Sequence, residues 1–448
     1  MVKNLTEGQP LRLLFFFSLP MVAGNLFQQL YNMVDTAVVG KFVGEDAVAA
    51  VGSSFPIVFL SVAVAAGLSM GCNVVVSQLF GAGRIHEMKS TISTAIISLS
   101  VLGLILMALG TISAGPLLEL LGTDPDIMAD SRTYLQIYFG GAVFLFLYNT
   151  LNGIYNAQGD SKTPLIFLMI SSLTNIVLDL LFVIRFHMGV AGVAWATIIA
   201  QAVSAVLVLS VLMRTDSCVR VELRRLRVHW DMLKKIVRVG IPAALQMAVT
   251  AFSNVFVQSY INHFGADCMS GWTAYTKIDQ LMFLPMQSLA LSATTFVGQN
   301  LGAGDTPRAQ QGVRRALGIS LAVTAVLMVP VLVLAPQLTA FFNRKAEVVA
   351  YGTLLLRYIS PFYLLCCINQ IYSGALRGAG NSQVPMVIML GSFVVFRQIY
   401  LYIVSHFITN TLLPLAMGYP AGWLVCSAAT LLYYRRAALG RQRLVEDN

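Results

Sequence analysis

Twelve apolar runs, each longer than twenty residues, follow one another along almost the whole chain. They lie near 11–39, 52–80, 91–118, 132–157, 164–185 and 190–213, then near 236–262, 272–300, 313–341, 348–375, 385–408 and 412–434. A helix needs about 20 apolar residues to cross the hydrocarbon of a bilayer, and backbone groups there must be satisfied within the segment. The runs therefore predict an all-α polytopic membrane protein of about twelve spans. Only 11% of the 448 residues are charged, against roughly 25% in soluble chains. A soluble enzyme, a disordered chain and a secreted disulfide scaffold are all excluded. The six cysteines form no C-x-x-C pair and mostly fall inside apolar runs, which predicts free, packed thiols. Lys3 and Arg12 ahead of the first run imitate a leader peptide. That run continues to about Val39 and holds Gln28, Gln29 and Asp35, too long for a cleaved segment, so it is read as the first span.

Lysine and arginine orient the spans. With the N-terminus inside, alternate loops and both tails carry 21 of the 29 basic residues, the opposite loops six, and apolar runs two, Lys277 and Arg397. This asymmetry predicts cytoplasmic termini. Eight of the inside cations lie between Arg214 and Arg238, and Arg435, Arg436, Arg441 and Arg443 follow the last span. No nucleic-acid-binding signature accompanies these clusters, so anionic lipid headgroups are the expected partners. The domain reading is an N-lobe over 1–213, a basic linker over 214–235, a C-lobe over 236–434 and a basic tail over 435–448.

The two halves repeat. Leu19-Pro20 matches Ile241-Pro242; the Gln78–Gly83 turn matches Gln299–Gly304, and Gly159–Pro164 matches Gly380–Pro385, both 221 residues on. An even number of spans per half makes these parallel repeats, two six-helix lobes around a central cleft, an architecture suited to alternating access. The Gly-Ala-Gly turns read as helix exits at which glycine takes positive φ.

Ionisable residues inside spans are costly and usually face a cavity. Asp35 lies in span one with Tyr31 and Gln28 at i−4 and i−7; Asp179 lies in span five with Asn175 at i−4. Span four adds Asn149, Asn152 and Asn156 at helical spacing, and span six adds Thr197. This set offers carboxylate, amide and hydroxyl oxygens for H⁺ or Na⁺, or else a polar network that fixes helix packing. In the second half Lys277, Asp279 and Arg397 carry opposite charges that could pair as a C-lobe charge network. Pro20, fifteen residues before Asp35, predicts a kink or hinge, although Pro242 occupies the matching place with no acid above it.

These residues together resemble the multidrug and toxic compound extrusion (MATE) family. Tyr31–Thr36 resembles its first-helix motif, Gln158–Pro164 its loop after helix four, and Arg377–Asn381 the corresponding loop of the second half. The resemblance covers essentially the whole chain and is nearest to the DinF-like prokaryotic branch. It implies a cation site of Asp35, Asn175, Asp179 and Thr197, with Asp35, Asn175 and Asp179 as ligands if the ion is Na⁺. It further implies a substrate pocket of Gln28, Tyr31, Asn149, Asn152 and Ser172, and a bend at Pro20. Another branch places its acids in helices seven and ten, whose runs hold none here. The implied activity is export of bulky, cationic or amphipathic compounds in exchange for H⁺ or Na⁺, by a monomer in a prokaryotic inner membrane. No cofactor and no catalytic residue are expected. A flippase for a lipid or lipid-linked saccharide is the alternative, kept open by Arg397 and Lys277. An intramembrane enzyme is disfavoured, since no H-E-x-x-H occurs and the five histidines are scattered near span ends and loops.

Overall fold

The structure, a computed structural model, describes residues 4–215 and 218–445, which are helical with short connections and contain no strand. Lys3, one of the inside cations, lies outside them. The first half contains α1 (Pro10–Phe42), α2 (Glu45–Gly81), α3 (Ile85–Leu120), α4 (Pro125–Gly140), α5 (Ala142–Ala157), α6 (Lys162–Leu180) and α7 (Gly189–Arg214). The second contains α8 (Trp230–Asn262), α9 (Ala266–Gly302), α10 (Thr306–Val333), α11 (Ala335–Phe342), α12 (Ala346–Ile359), α13 (Tyr363–Gly378), α14 (Gln383–Met389), α15 (Arg397–Ile403), α16 (Leu412–Ala416) and α17 (Gly418–Arg436). Eleven helical stretches are long and apolar enough to cross a membrane, and the twelfth is a bent pair. That pair is α4 and α5, which meet at 50° and replace the straight fourth span expected from the sequence. The bend falls at Gly141, where a Cβ would stand 2.5 Å from Ile198 of α7.

The duplicated motifs are turn devices. Gly83 and Gly304 both have positive φ, 68° and 79°, which glycine adopts without steric cost. The same bonds close both exits: Arg84 N to Leu79 O and, in the repeat, Asp305 N to Asn300 O. The second motif starts a helix. Asp160 Oδ1 accepts from the backbone N–H groups of Lys162 and Thr163, and Asn381 Oδ1 accepts from Val384 N. Within each half the interhelix rungs also repeat. Asn73 Nδ2 donates to Gly153 O at 3.2 Å, and Thr294 Oγ1 donates to Gly374 O at 2.9 Å. Both receiving glycines are closely packed: a Cβ would lie 2.6 Å from Ser69 Oγ at Gly153 and 2.6 Å from Ala290 O at Gly374.

The chain forms two compact units whose borders fall inside helices. The first comprises Ala23–Ala244 with Asn4; the second comprises Leu5–Val22 and the chain from Leu245 onward. The opening turns of α1 thus belong to the C-terminal unit, where Leu5, Leu14 and Phe17 are buried in its core. Gln299 Oε1 accepts from Leu5 N at 2.9 Å, and Arg308 Nη2 donates to Gly8 O at 2.8 Å. The opening turns of α8 belong to the N-terminal unit, where a Cβ on Gly71 would lie 2.2 Å from Ile236 O. Pro20 and Pro242 each stand two residues before the change of unit. α1 nevertheless runs as one helix through Pro20.

The C-terminal unit has a large aromatic core containing Trp272, Tyr275, Tyr363 and Trp423. The N-terminal unit has smaller clusters, such as Val38, Val39, Val190 and Val193 with Tyr134. Cys72, Cys268, Cys366, Cys367 and Cys426 are buried thiols.

Candidate functional site

The candidate cation site lies wholly within the N-terminal unit. Two hydroxyl rungs fix α6 against α7: Ser171 Oγ donates to Ala200 O, and Ser204 Oγ donates to Phe167 O, both at 3.0 Å. Beyond the Ser171–Ala200 rung, toward the connection between the two helices, α6 presents Ser172, Asn175 and Asp179 and α7 presents Thr197, all buried. With its amide turned so that both ends are satisfied, Asn175 donates to Asp179 Oδ2 at 3.2 Å and accepts from Thr197 N at 3.3 Å. Thr197 Oγ1 donates to Val193 O at 3.0 Å, which leaves its lone pairs for the pocket. The second half of α1 brings Asp35 within hydrogen-bonding reach of Asp179.

This arrangement is short of hydrogen. Asp35 Oδ1, Asp179 Oδ1, Asn152 Oδ1 and Ser172 Oγ are all buried without a hydrogen-bond partner. Buried polar atoms are normally satisfied, and clustered exceptions call for an explanation such as an ion. Two ionised carboxylates roughly 4 Å apart repel by about 4 kcal/mol at an effective dielectric constant of about 20. A shared proton removes that repulsion, and so does a hard cation, which prefers oxygen ligands of this kind.

Two of the sequence-assigned pocket residues make no hydrogen bond to the acid pair. Asn149 turns back on its own helix, donating to Leu145 O at 2.8 Å. Gln28 is exposed and makes no hydrogen bond to a described residue. Tyr31 does stand beside Asp35 and Asp179. It is joined by tyrosines that the sequence reading did not single out: Tyr138 and Tyr148 are its neighbours, and Tyr134 stacks on Tyr138 with ring centroids 6.3 Å apart. Gln201 neighbours Tyr138, and Asn152 neighbours Tyr148. Helical spacing carried the signal, since Tyr134 and Tyr138, Tyr148 and Asn152, and Thr197 and Gln201 are all four apart.

The C-terminal charges do not form the expected pairs. Lys277 is exposed, and neither it nor Arg397 makes an ion pair with Asp279. Asp279 accepts instead from Tyr275 Oη at 3.2 Å. Arg397, 2% exposed, donates through Nη2 to Ser253 Oγ at 2.5 Å and Asn254 Oδ1 at 3.0 Å, and through Nε to Phe393 O at 3.1 Å. Its guanidinium lies 4.6 Å from the centre of the Tyr419 ring.

Comparison with known proteins agrees with this architecture. The family model MatE matches twice, over residues 20–181 and 242–403, two equal stretches 222 residues apart. "Probable multidrug resistance protein YpnP" of Bacillus subtilis is 31% identical over 432 residues, covering 96% of both chains. The "FAD transporter" of Shewanella oneidensis is 24% identical over 85% of this chain and 84% of its own. Among solved structures, an outward-facing multidrug resistance MATE family transporter of the MOP superfamily gives a TM-score of 0.92 at 24% identity, covering 98% of both chains. With the family model matched once in each half and a relative aligned end to end, the chain belongs to the MATE family of multi-pass membrane transporters.

Proposed function

We propose that this protein is a secondary multidrug efflux antiporter, which exports bulky cationic or amphipathic compounds in exchange for H⁺ or Na⁺ bound in its N-terminal unit. The observation that carries this reading is the Asp35–Asp179 pair with its neighbouring partnerless oxygens. The names of the relatives support the efflux class: YpnP and YoeA of Bacillus subtilis are both called probable multidrug resistance proteins. In this reading the protein acts as a monomer in a prokaryotic inner membrane with cytoplasmic termini.

The energetics follow from the site. An ion loading the acid pair cancels like-charge repulsion and draws α1 toward α6, which favours one arrangement of the unit. A cationic drug brings its own positive charge to the tyrosine-lined side of the same acids, so drug and ion compete. Thermodynamic reciprocity then requires each to weaken the other by the same factor. One charge moving inward through about 100 mV releases about 2.3 kcal/mol, and a concentration gradient adds to it.

Proteoliposomes loaded with a fluorescent organic cation test this. Export under an imposed Na⁺ or pH gradient is expected for the native chain, with the effective gradient naming the ion. Asp179→Asn, reconstituted at equal density, should show only passive leak. Gradient-driven export that persists in Asp179→Asn would overturn the reading.

A further inference from the structure

The repeat makes Arg397 conspicuous. The turn glycines Gly159 and Gly380 are 221 residues apart, whereas both ends of the family match are 222 apart. The π-helical segment Leu390–Phe396 lies between them in the second half, and a π-bulge accommodates one additional residue in a helix. Beyond it the register is 222, which sets Arg397 opposite Asn175 and Leu401 opposite Asp179. The matched prolines at 20 and 242 give α1 and α8 the same register, so Val257 stands opposite Asp35 and Asn254 opposite Asn32. Where the first half gathers acceptors, the second half places a guanidinium.

Among the described residues that guanidinium has no ion-pair partner. Its partners Ser253, Asn254 and Phe393 are neutral, and a buried unpaired ion is costly in a membrane protein. Nη1 has no acceptor and is not closed off from the surface. The Asn254 side-chain amide nitrogen is another donor without an acceptor, and Asn254 itself is exposed. Tyr419 stacks on the guanidinium and donates to Asn254 Oδ1 at 3.3 Å, which holds both groups in place. The two donor groups belong to residues joined by the Nη2–Oδ1 bond and backed by one aromatic ring, a donor set suited to a planar or tetrahedral oxyanion.

We propose that Arg397, Asn254 and Tyr419 form an oxyanion-recognition site in the C-terminal unit, which takes the carboxylate or phosphate of an amphiphilic ligand. It adds an acidic ligand class to the efflux reading, and binding measured without any gradient separates its failure from failure of that reading.

The test uses the full-length protein in neutral detergent and two dyes that differ by one group, rhodamine 110 with a free carboxylate and rhodamine 123, its methyl ester. Fluorescence anisotropy should show Arg397→Gln weakening the carboxylate dye about tenfold, the loss expected for hydrogen bonds to a charged group, while the ester changes less than about twofold. Asn254→Ala, at an exposed position, should weaken only the carboxylate dye, by about threefold, and covers the case in which Arg397→Gln fails to fold. Equal losses for both dyes, or none for either, would overturn the site. Phosphatidylglycerol that displaces the carboxylate dye, where phosphatidylcholine does not, identifies a lipid headgroup as the occupant. Displacement by neither lipid identifies a soluble cargo, and both results support the site.

Discussion

At matching positions the two halves carry opposite solutions. The N-terminal unit buries Asn175 and Asp179 and half-buries Asp35; the C-terminal unit has Arg397, Leu401 and Val257 there, with Val257 and Leu401 in its apolar core. At these positions the first half leaves Asp35 Oδ1 and Asp179 Oδ1 without hydrogen-bond partners among the described residues. The other ties a cation to the chain and surrounds it with Ser253, Asn254 and the Tyr419 ring. A duplicated scaffold therefore keeps its rungs and turns in common and differs where an ion would bind. In the proposed reading the first half takes its positive charge from solution, exchangeably; in the second it is covalent and permanent.

The comparison breaks most sharply if the first half is given the second half's residues. Asp35→Val with Asp179→Leu should reduce gradient-driven export by about a hundredfold or more, since a unit with no acid has nothing to load. The same double variant should match or exceed the native melting temperature, because apolar packing replaces buried groups without partners. A strongly destabilised variant would show that the acids hold the fold together. Where the halves agree, substitutions should agree. Gly153→Ala and Gly374→Ala each push a Cβ into a facing element, and each should cost about 1–3 kcal/mol in chemical or thermal denaturation.

The prolines give a finer test. Pro20→Ala and Pro242→Ala each restore a backbone hydrogen bond worth about 1 kcal/mol, which sets the expected slowing of turnover at about fivefold. Equal slowing in both marks the change of unit as the mechanical element; slowing in Pro20→Ala alone ties it to the acid on the same helix. The smallest effect belongs to Lys345, whose Nζ lies 2.7 Å from Asp267 Oδ2 with both side chains substantially exposed. Lys345→Ala should leave melting temperature and export unchanged within error, as exposed ion pairs contribute little.

Much of this was legible in the sequence because the membrane imposes simple rules. Run length gave the spans, and glycine positions gave the turns. Asp35 and Asp179 stood out because carboxylates in apolar runs are rare, and the structure brings them together with Asn175 and Thr197. Less was legible where the information is interhelical. Periodicity placed Asn149 on a polar face but did not show that its amide would turn back to Leu145 O. Opposite signs suggested pairing Arg397 with Asp279, yet each found neutral hydrogen-bond partners. The bend at Gly141 depends on how closely α7 approaches, which a one-dimensional pattern does not encode. Tyr134 and Tyr138 were hidden among many aromatics whose usual role is packing.

The exchange of opening turns between the two units has a consequence for biosynthesis. Residues 5–22 are translated ahead of Ala23–Ala244 but belong to the unit that is completed after it, so Leu5, Leu14 and Phe17 wait for their core until α9 and α13 have emerged. The N-terminal unit, in turn, lacks the backbone that seats against Gly71 until the chain has grown past Ala244. Neither half can finish folding before the other has begun. A ribosome stalled in the basic linker would hold six membrane spans with an open seam, and two separately expressed halves would each have to borrow a helix end from the other.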